Sequence, residues 1–527
     1  FEAIKIINLP EELKEELVHQ YGKNEFRLFR LPSVKEGKVV AILGPNGIGK
    51  TTALNILSGV VVPNLGNYDK LGDWQKCLKK FAGTELYNYL SKLATEKITT
   101  SLKPQYVGKL LDVYGNKKVI TILEQSKVTK EQLNFVLQEL ELDDLKDRTL
   151  ATLAGGELQR VAIANAILKN VDVYFFDEPS SYLDVYQRLK VARIIKALAE
   201  RKKVVVVEHD LAVLDFLADE IYLLYGSEGA YGIVAQPKTA RVAINTYLEG
   251  YLKEENVRFR DWEIEFDIKP ARREWPSGIL FEYGALEKSY DKFVLKVNSG
   301  KVHKGEVVGI VGPNAIGKTT FMELLANVIK PTKGKITSAF TISYKPQYIK
   351  LENKATVKQI IDTKIVESSL LAELERGLSL KSIYNKSVNA LSGGELQRVA
   401  IALALAQESD IYLIDEPSAY LDSSQRMETA KTIRRVIEQK GKSAMIVDHD
   451  VYFIDMVADS LMVFSGIPAK EGFAQGPFDM RTGMNLFLKS LDITFRRDAE
   501  TNRPRINKPD SRLDREQKER GEYYYAS

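Results

Sequence analysis

The sequence predicts an α/β protein of two tandem homologous domains, on three observations. The chain repeats itself, each repeat sets a glycine-rich loop after an apolar strand, and each ends a second apolar strand on paired acids. GPNGIGKTT at Gly44 to Thr52 returns as GPNAIGKTT at Gly312 to Thr320, and KPQY occurs at Lys103 and Lys345. GGELQRVAIA occurs at Gly155 and Gly393, DEPSSYLD at Asp177 is matched by DEPSAYLD at Asp415, and VEHD at Val207 by VDHD at Val447.

Composition bounds the rest. A chain of 527 residues is too long for one hydrophobic core and reads as about three or four folding units. With 44% hydrophobic and 28% charged residues it reads as globular. Its 75 basic and 71 acidic residues nearly cancel, so net charge says little about partners. The single thiol, Cys77, makes neither an intramolecular disulfide nor a four-thiolate metal site, which fits a reducing cytosol. No apolar run approaches the ~20 residues of a membrane helix, and no signal-peptide core opens the chain, so a cytoplasmic location without a membrane partner is expected. Because the chain begins at Phe1, it reads as a processed or truncated form.

The spacing between copies locates their differences. It is 268 residues from Lys50 to Lys318 but 242 from Gln105 to Gln347, so the first copy carries 26 extra residues between loop and KPQY. These fall at about 74–100, where Leu86, Tyr89, Leu90 and Leu93 recur at helical spacing after a break and cap at Gly83 and Thr84; a helix-loop-helix insert is predicted. The domains are placed at 1–255 and 277–472, with an ordered connector or hinge at 256–276 and a C-terminal hinge segment at 473–527 without counterpart in the first copy. Its stretch Arg496 to Arg520 holds nine basic and six acidic residues, and reads as a solvated tail or as a contact to RNA or to the connector.

The chemistry follows from residue types. Glycines let backbone N–H groups turn toward phosphate oxygens at a helix N-terminus, whose dipole favours anions. The phosphate cradles are Gly44, Pro45, Asn46, Gly47, Gly49, Lys50, Thr51 and Thr52, and Gly312, Pro313, Asn314, Gly317, Lys318, Thr319 and Thr320. Lys50 and Lys318 reach the outer phosphates, and Thr51 and Thr319 offer hydroxyls to magnesium. Asp177 and Asp415 suit a magnesium shell, and the adjacent Glu178 and Glu416 suit polarising an attacking water. Gln105 and Gln347 are placed to touch metal or water.

In this order, a P-loop, glutamine loop, LSGGE-type signature, DEP strand end, YLD loop and strand-end histidine resemble the ATP-binding-cassette superfamily across nearly the whole chain. The resemblance implies head-to-tail domains, each ATP lying between one P-loop and the other domain's signature. Lys50 would then pair with Ser392, Gly393 and Gly394 ahead of Glu395, and Lys318 with Ala154, Gly155 and Gly156 ahead of Glu157. It implies that His209 and His449 contact the γ-phosphate.

The DEPSSYLD and DEPSAYLD motifs, GTELYNYL within the insert, YLKEENVRFR and the ending ITFRRD…REQKERGEYYY resemble the E subfamily, the ribosome-recycling factor or RNase L inhibitor family of archaea and eukaryotes. In it, aromatics before the P-loops stack on adenine, and Tyr21 with Phe26, and Tyr290 with Phe293, occupy comparable places. The family also carries an N-terminal domain with two four-iron clusters on eight cysteines, which one cysteine cannot supply. Ala154 replaces a signature serine, Ala315 a P-loop glycine, and Asp448 a glutamate, so unequal sites are expected.

The function implied is an ATP hydrolase using ATP and Mg2+, which closes on the small ribosomal subunit to recycle or split ribosomes and to act in post-splitting or initiation complexes. Release or rescue factors and initiation factors are the implied partners. The insert and connector are the expected RNA contacts, through phosphates and shape. Without clusters, this stretch is expected to hydrolyse ATP and bind free small subunits yet not split joined ribosomes. A transporter's energy module would require membrane partners, and a DNA-repair cassette long coiled coils; no sustained heptads occur here.

Overall fold

The computed structural model describes residues 16–126, 128–266, 278–336, 340–347, 355–365 and 367–524. The described residues fall into two compact units that divide between Ile264 and Glu265. Positions 267–276 of the expected hinge lie outside the described residues. Among the described residues, no helix is long and apolar enough to cross a membrane.

In the first unit the elements that build the site are β1 (Leu17–Gln20), β2 (Arg27–Phe29), β3 (Val39–Leu43), α1 (Lys50–Leu57), α2 (Trp74–Lys80), α3 (Glu85–Ala94), β4 (Thr100–Lys103), α4 (Gly155–Ile167), β5 (Val173–Asp177), β6 (Lys203–Val207), α5 (Leu211–Leu217), β7 (Glu220–Ser227), β8 (Tyr231–Val234) and α6 (Ala240–Glu249). The strands run in the order β1-β2-β8-β7-β3-β6-β5-β4. From β7 to β4 neighbours are parallel. β3 (VVAIL) and β5 (VYFFD) are buried throughout, as strands covered on both faces must be, which is why they read as unbroken apolar runs. The parallel order brings the carboxyl ends of β3, β5 and β6 to one edge, where open α/β sheets bind ligands.

The second unit repeats the plan. β9 (Leu286–Ser289), β10 (Val294–Val297), β11 (Val307–Val311), α7 (Lys318–Leu325), β12 (Ile342–Lys345), α8 (Gly393–Ala406), β13 (Ile411–Asp415), β14 (Ser443–Val447), α9 (Val451–Val457), β15 (Ser460–Ile467), β16 (Glu471–Asp479) and α10 (Met480–Ser490) follow in chain order. Its sheet is β9-β10-β16-β15-β11-β14-β13-β12, the same arrangement.

The 26-residue excess holds α2 and α3. Cys77, Leu86, Tyr89 and Leu90 join the core of the first unit, and the Tyr89 hydroxyl donates to the Leu57 carbonyl at the end of α1 at 2.6 Å. The opposite face of α3, with Tyr87 and Asn88, is exposed.

Two expectations for the C-terminus are corrected. The segment from 473 has a counterpart as far as α10: α6 and α10 both follow the sheet and bury equivalent positions, Ala243, Ile244, Tyr247 and Leu248 against Gly483, Met484, Phe487 and Leu488. Nor is Arg496 to Arg520 a solvated tail. It folds into β17 (Phe495–Arg497), β18 (Pro504–Ile506) and α11 (Arg512–Arg520). Arg503 is fully buried and donates to the Tyr452 hydroxyl at 2.9 Å, while Arg497 and Tyr524 converge on Asp455 of α9. The charges pair within the fold, which composition does not reveal.

Candidate functional site

Each site is assembled from the carboxyl ends of three strands. After β3 the glycine-rich loop enters α1, and Lys50 Nζ donates to the carbonyls of Gly44, at 2.9 Å, and Pro45; Lys318 makes the same bonds to Gly312, at 2.9 Å, and Pro313. Gly49 requires glycine twice over. Its φ is +89°, and a Cβ there would stand 2.5 Å from Phe26 Cζ. In the second unit Phe293 closes on Gly317 in the same way. Ala315 takes a φ of 55° where Gly47 has 71°, so an L-residue holds a backbone suited to glycine.

The next strand end meets this loop. Thr51 Oγ1 donates to Asp177 Oδ2 at 2.7 Å, and Thr319 to Asp415 at 2.8 Å. The other oxygen, Oδ1, of each aspartate is buried with no hydrogen-bond partner. Burial pushes both carboxyls up to about 6, against the lowering effect of the threonine bonds. A hydroxyl and an unpartnered carboxylate oxygen, side by side, fit a hard oxygen-seeking cation such as Mg2+.

Glu178 and Glu416 behave oppositely. Burial alone would raise their pKa, but the contact and charge of the adjacent histidine and the charge of the P-loop lysine outweigh it and hold each at about 2. His209 Nε2 lies 3.3 Å from Glu178 Oε1, and His449 Nε2 3.5 Å from Glu416 Oε1. The Gln105 amide donates to Glu178 Oε1 at 2.7 Å, and Gln347 bonds Glu416, so both glutamines join the glutamate of the pair rather than the aspartate.

The signature residues begin α4 and α8. Glu157 and Glu395 turn back onto their own helices: Glu157 Oε2 accepts from the Ala154 N–H at 2.8 Å, and Glu395 Oε2 from that of Ser392 at 2.9 Å. Ser392 Oγ in turn accepts from the Glu395 N–H at 3.4 Å, a bond Ala154 has no oxygen to make. Tyr21 and Tyr290 are about half exposed, at 46% and 47%. The Tyr21 hydroxyl lies 3.2 Å from Thr52 Oγ1, and Tyr290 bonds Thr320, so each ring stands over the first turn of its P-loop helix. Phe26 and Phe293 instead pack half-buried against the glycines.

Sequence reasoning gave no structural role to two pairs of residues, although it had noted Asp448 as a replacement for glutamate. Lys103 and Lys345 end β4 and β12 and are almost wholly buried; burial lowers each to about 8, against the nearby carboxylates. Glu208 and Asp448 bridge loops, accepting from the backbone N–H of Ser180 at 3.2 Å and of Ser418 at 2.9 Å. The signal was available, since KPQY and V(E/D)HD recur with these residues in place.

Twin P-loop sites of this construction define a two-domain ATP-binding-cassette ATPase. A profile described as ABC transporter matches residues 32–181 and 295–419. Translation initiation factor RLI1 of Saccharomyces cerevisiae is 43% identical over all of this chain and 88% of its own length. A crystal structure of archaeal ribosome recycling factor aABCE1 in complex with the ribosomal stalk protein aP1 superimposes with a TM-score of 0.93 at 52% identity, over 98% of this chain and 100% of that one. A model of ribosome-bound archaeal Pelota and ABCE1 gives 0.90 at 52% identity, over 98% and 88%. The chain belongs to the RLI1/ABCE1 family, also called the RNase L inhibitor family.

Proposed function

We propose that this ATPase works on the small ribosomal subunit in the cytoplasm, closing its two cassettes on ATP in ribosome recycling, where splitting of joined ribosomes would also need the family's cluster domain, and remaining for post-splitting or initiation complexes. Support for the ribosomal part is kinship: the similar proteins are described as a translation initiation factor, as a recycling factor bound to a stalk protein, and as ribosome-bound with Pelota. Release or rescue factors and initiation factors are the partners that follow.

The observation that carries the ATPase part is the Thr51–Asp177 pair, with its unpartnered oxygen, repeated at Thr319–Asp415. In this reading those oxygens hold Mg2+, which when bound neutralises phosphate charge. Lys50, Lys318 and the N–H groups opening α1 and α7 grip the phosphates. Tyr21 and Tyr290 stack on adenine, with Phe26 and Phe293 behind them. Glu178 and Glu416, ionised and acidic, orient water by hydrogen bonding more than they store its proton, and His209 and His449 reach the γ-phosphate. Head-to-tail closure would bring Ser392, Gly393 and Gly394 to Lys50, and Ala154, Gly155 and Gly156 to Lys318. ATP drives closure only as far as it prefers the closed form. The insert α2–α3 is the RNA contact of this reading. Family clusters on eight cysteines exceed what Cys77 offers.

Sedimentation with ribosomal subunits tests the proposal. Co-sedimentation with small subunits, strengthened by a non-hydrolysable ATP analogue and weakened by salt, is expected; no association in either nucleotide state sinks it.

A further inference from the structure

Glu178 and Glu416 hold an unusual backbone. Their φ values are +48° and +47°, in the left-handed region that side-chain-bearing residues avoid. Such a conformation persists only where its surroundings over-determine it, and the structure shows what does so. The Glu178 N–H donates to the Val207 carbonyl at 2.9 Å. Its carbonyl accepts from Lys103 Nζ at 3.1 Å and from Gln159 Nε2 at 2.8 Å. The same two side chains also take the flanking carbonyls, Lys103 that of Asp177 at 2.8 Å and Gln159 that of Pro179 at 3.0 Å. The second unit repeats the arrangement, with Lys345 on Asp415 and Glu416, and Gln397 on Glu416.

We propose that Lys103 and Gln159, with their counterparts Lys345 and Gln397, are positioning residues that lock the water-orienting glutamates into this left-handed turn. The inference rests on the reading of Glu178 and Glu416 given above. Lys103 and Gln159 are 0% exposed, so neither meets nucleotide or solvent. Burying an ammonium group is costly, and a lysine serving only to fill space would be replaced by an apolar residue of similar size without penalty. Here its donors go to backbone carbonyls directly under the acid pair. Gln159 lies on α4, whose first turn carries the signature, and Lys103 ends the strand leading to Gln105. The turn bearing Glu178 is therefore fastened to both segments.

The test uses the whole chain carrying Glu416→Gln, so that turnover reports the first site, with Lys103→Met, Gln159→Leu and Glu178→Gln added singly and in pairs. Lys103→Met and Gln159→Leu are expected to lower kcat roughly 10- to 100-fold, the scale of a misplaced reacting group, with KM for ATP changed less than about threefold. Once Glu178→Gln is present, neither should lower it further, because nothing is left to position. Melting temperature and nucleotide affinity, measured alongside, separate this from a structural role, which would lower stability and add its loss to that of Glu178→Gln. Should Lys103→Met not fold, Gln159→Leu decides in this background, and Gln397→Leu decides in a chain that carries Glu178→Gln instead, where turnover reports the second site. Wild-type turnover in these variants while Glu178→Gln is slow overturns the inference alone. Wild-type turnover in Glu178→Gln with Glu416→Gln overturns the role of the glutamates and the inference with it.

Discussion

In the first unit Ser181 donates to Glu178 Oε2 at 3.1 Å; in the second, Ala419 stands at the matching position and offers no hydroxyl. Glu208 accepts from the N–H groups of Ser180, His209 and Asp210, whereas Asp448, one methylene shorter, takes the hydroxyl of Ser418 at 2.7 Å as well as backbone N–H groups. The first unit keeps Gly47 but has Ala154; the second has Ala315 but keeps Ser392. Across all this, the Thr–Asp distances differ by 0.1 Å and the His–Glu distances by 0.2 Å. The chemical geometry is held constant while its supports are exchanged, so any inequality between the sites should come from how firmly each is braced.

The largest test of that comparison removes the chemistry itself. Glu178→Gln and Glu416→Gln each keep the phosphate cradle and lose the charge that orients water. Turnover in the double variant should fall by roughly 100-fold or more with ATP binding retained. The two single variants should differ, because Ser181 braces only Glu178. Steady-state ATPase and a nucleotide-binding titration check this; equal single effects would show that bracing does not matter.

A smaller effect concerns the buried aspartates. Asp177 and Asp415 have folded pKa values near 6, above the usual 3.8, so the folded state binds more protons between about 4 and 6. Stability from these groups therefore falls as pH rises through that window and is level above it. Glu178 and Glu416, held near 2, act the other way: their contribution is present above about 4.5 and is lost as pH falls toward 2. Asp177→Asn should remove one ionised group at neutral pH. Nucleotide-free protein is then expected to gain about 1–2 kcal/mol, a few degrees in Tm, while Mg2+-dependent ATP binding at that site is lost. Thermal unfolding across pH, with and without Mg-ATP, measures both.

The repeat and its motifs made the two α/β sheets legible, because buried parallel strands are written as apolar runs and phosphate loops need glycine at fixed places. Lys50, Thr51, Asp177, Glu178 and His209 converge because three strand ends share one edge, an arrangement motif order already implied. Other features were hidden for physical reasons. The α6–α10 match survives as buried volume, Tyr247 against Phe487, more than as identity. The C-terminal charges looked solvated because pairing between Arg497 and Asp455 spans 42 residues. Lys103 went unassigned because lysine is ordinarily a surface residue, although its return in the second KPQY marked it.

The smallest expected effect lies at the signature helices. Only half a capping box closes α4, since Glu157 reaches the Ala154 N–H but Ala154 returns nothing, while Ser392 and Glu395 complete the box on α8. Ala154→Ser would supply the missing acceptor on the Glu157 N–H. Replacing alanine by serine at such a cap stabilises by about 0.5–2 kcal/mol, so the first unit should melt about 1–5 °C higher. Ser392→Ala should cost the second unit a similar amount. Under head-to-tail closure the new hydroxyl would also face the nucleotide on Lys318, so Ala154→Ser should alter turnover in a chain whose first site is silenced by Glu178→Gln. A change in Tm without a change in that turnover would confine Ala154 to helix capping. A change in both would make this single missing hydroxyl a source of inequality between the two sites.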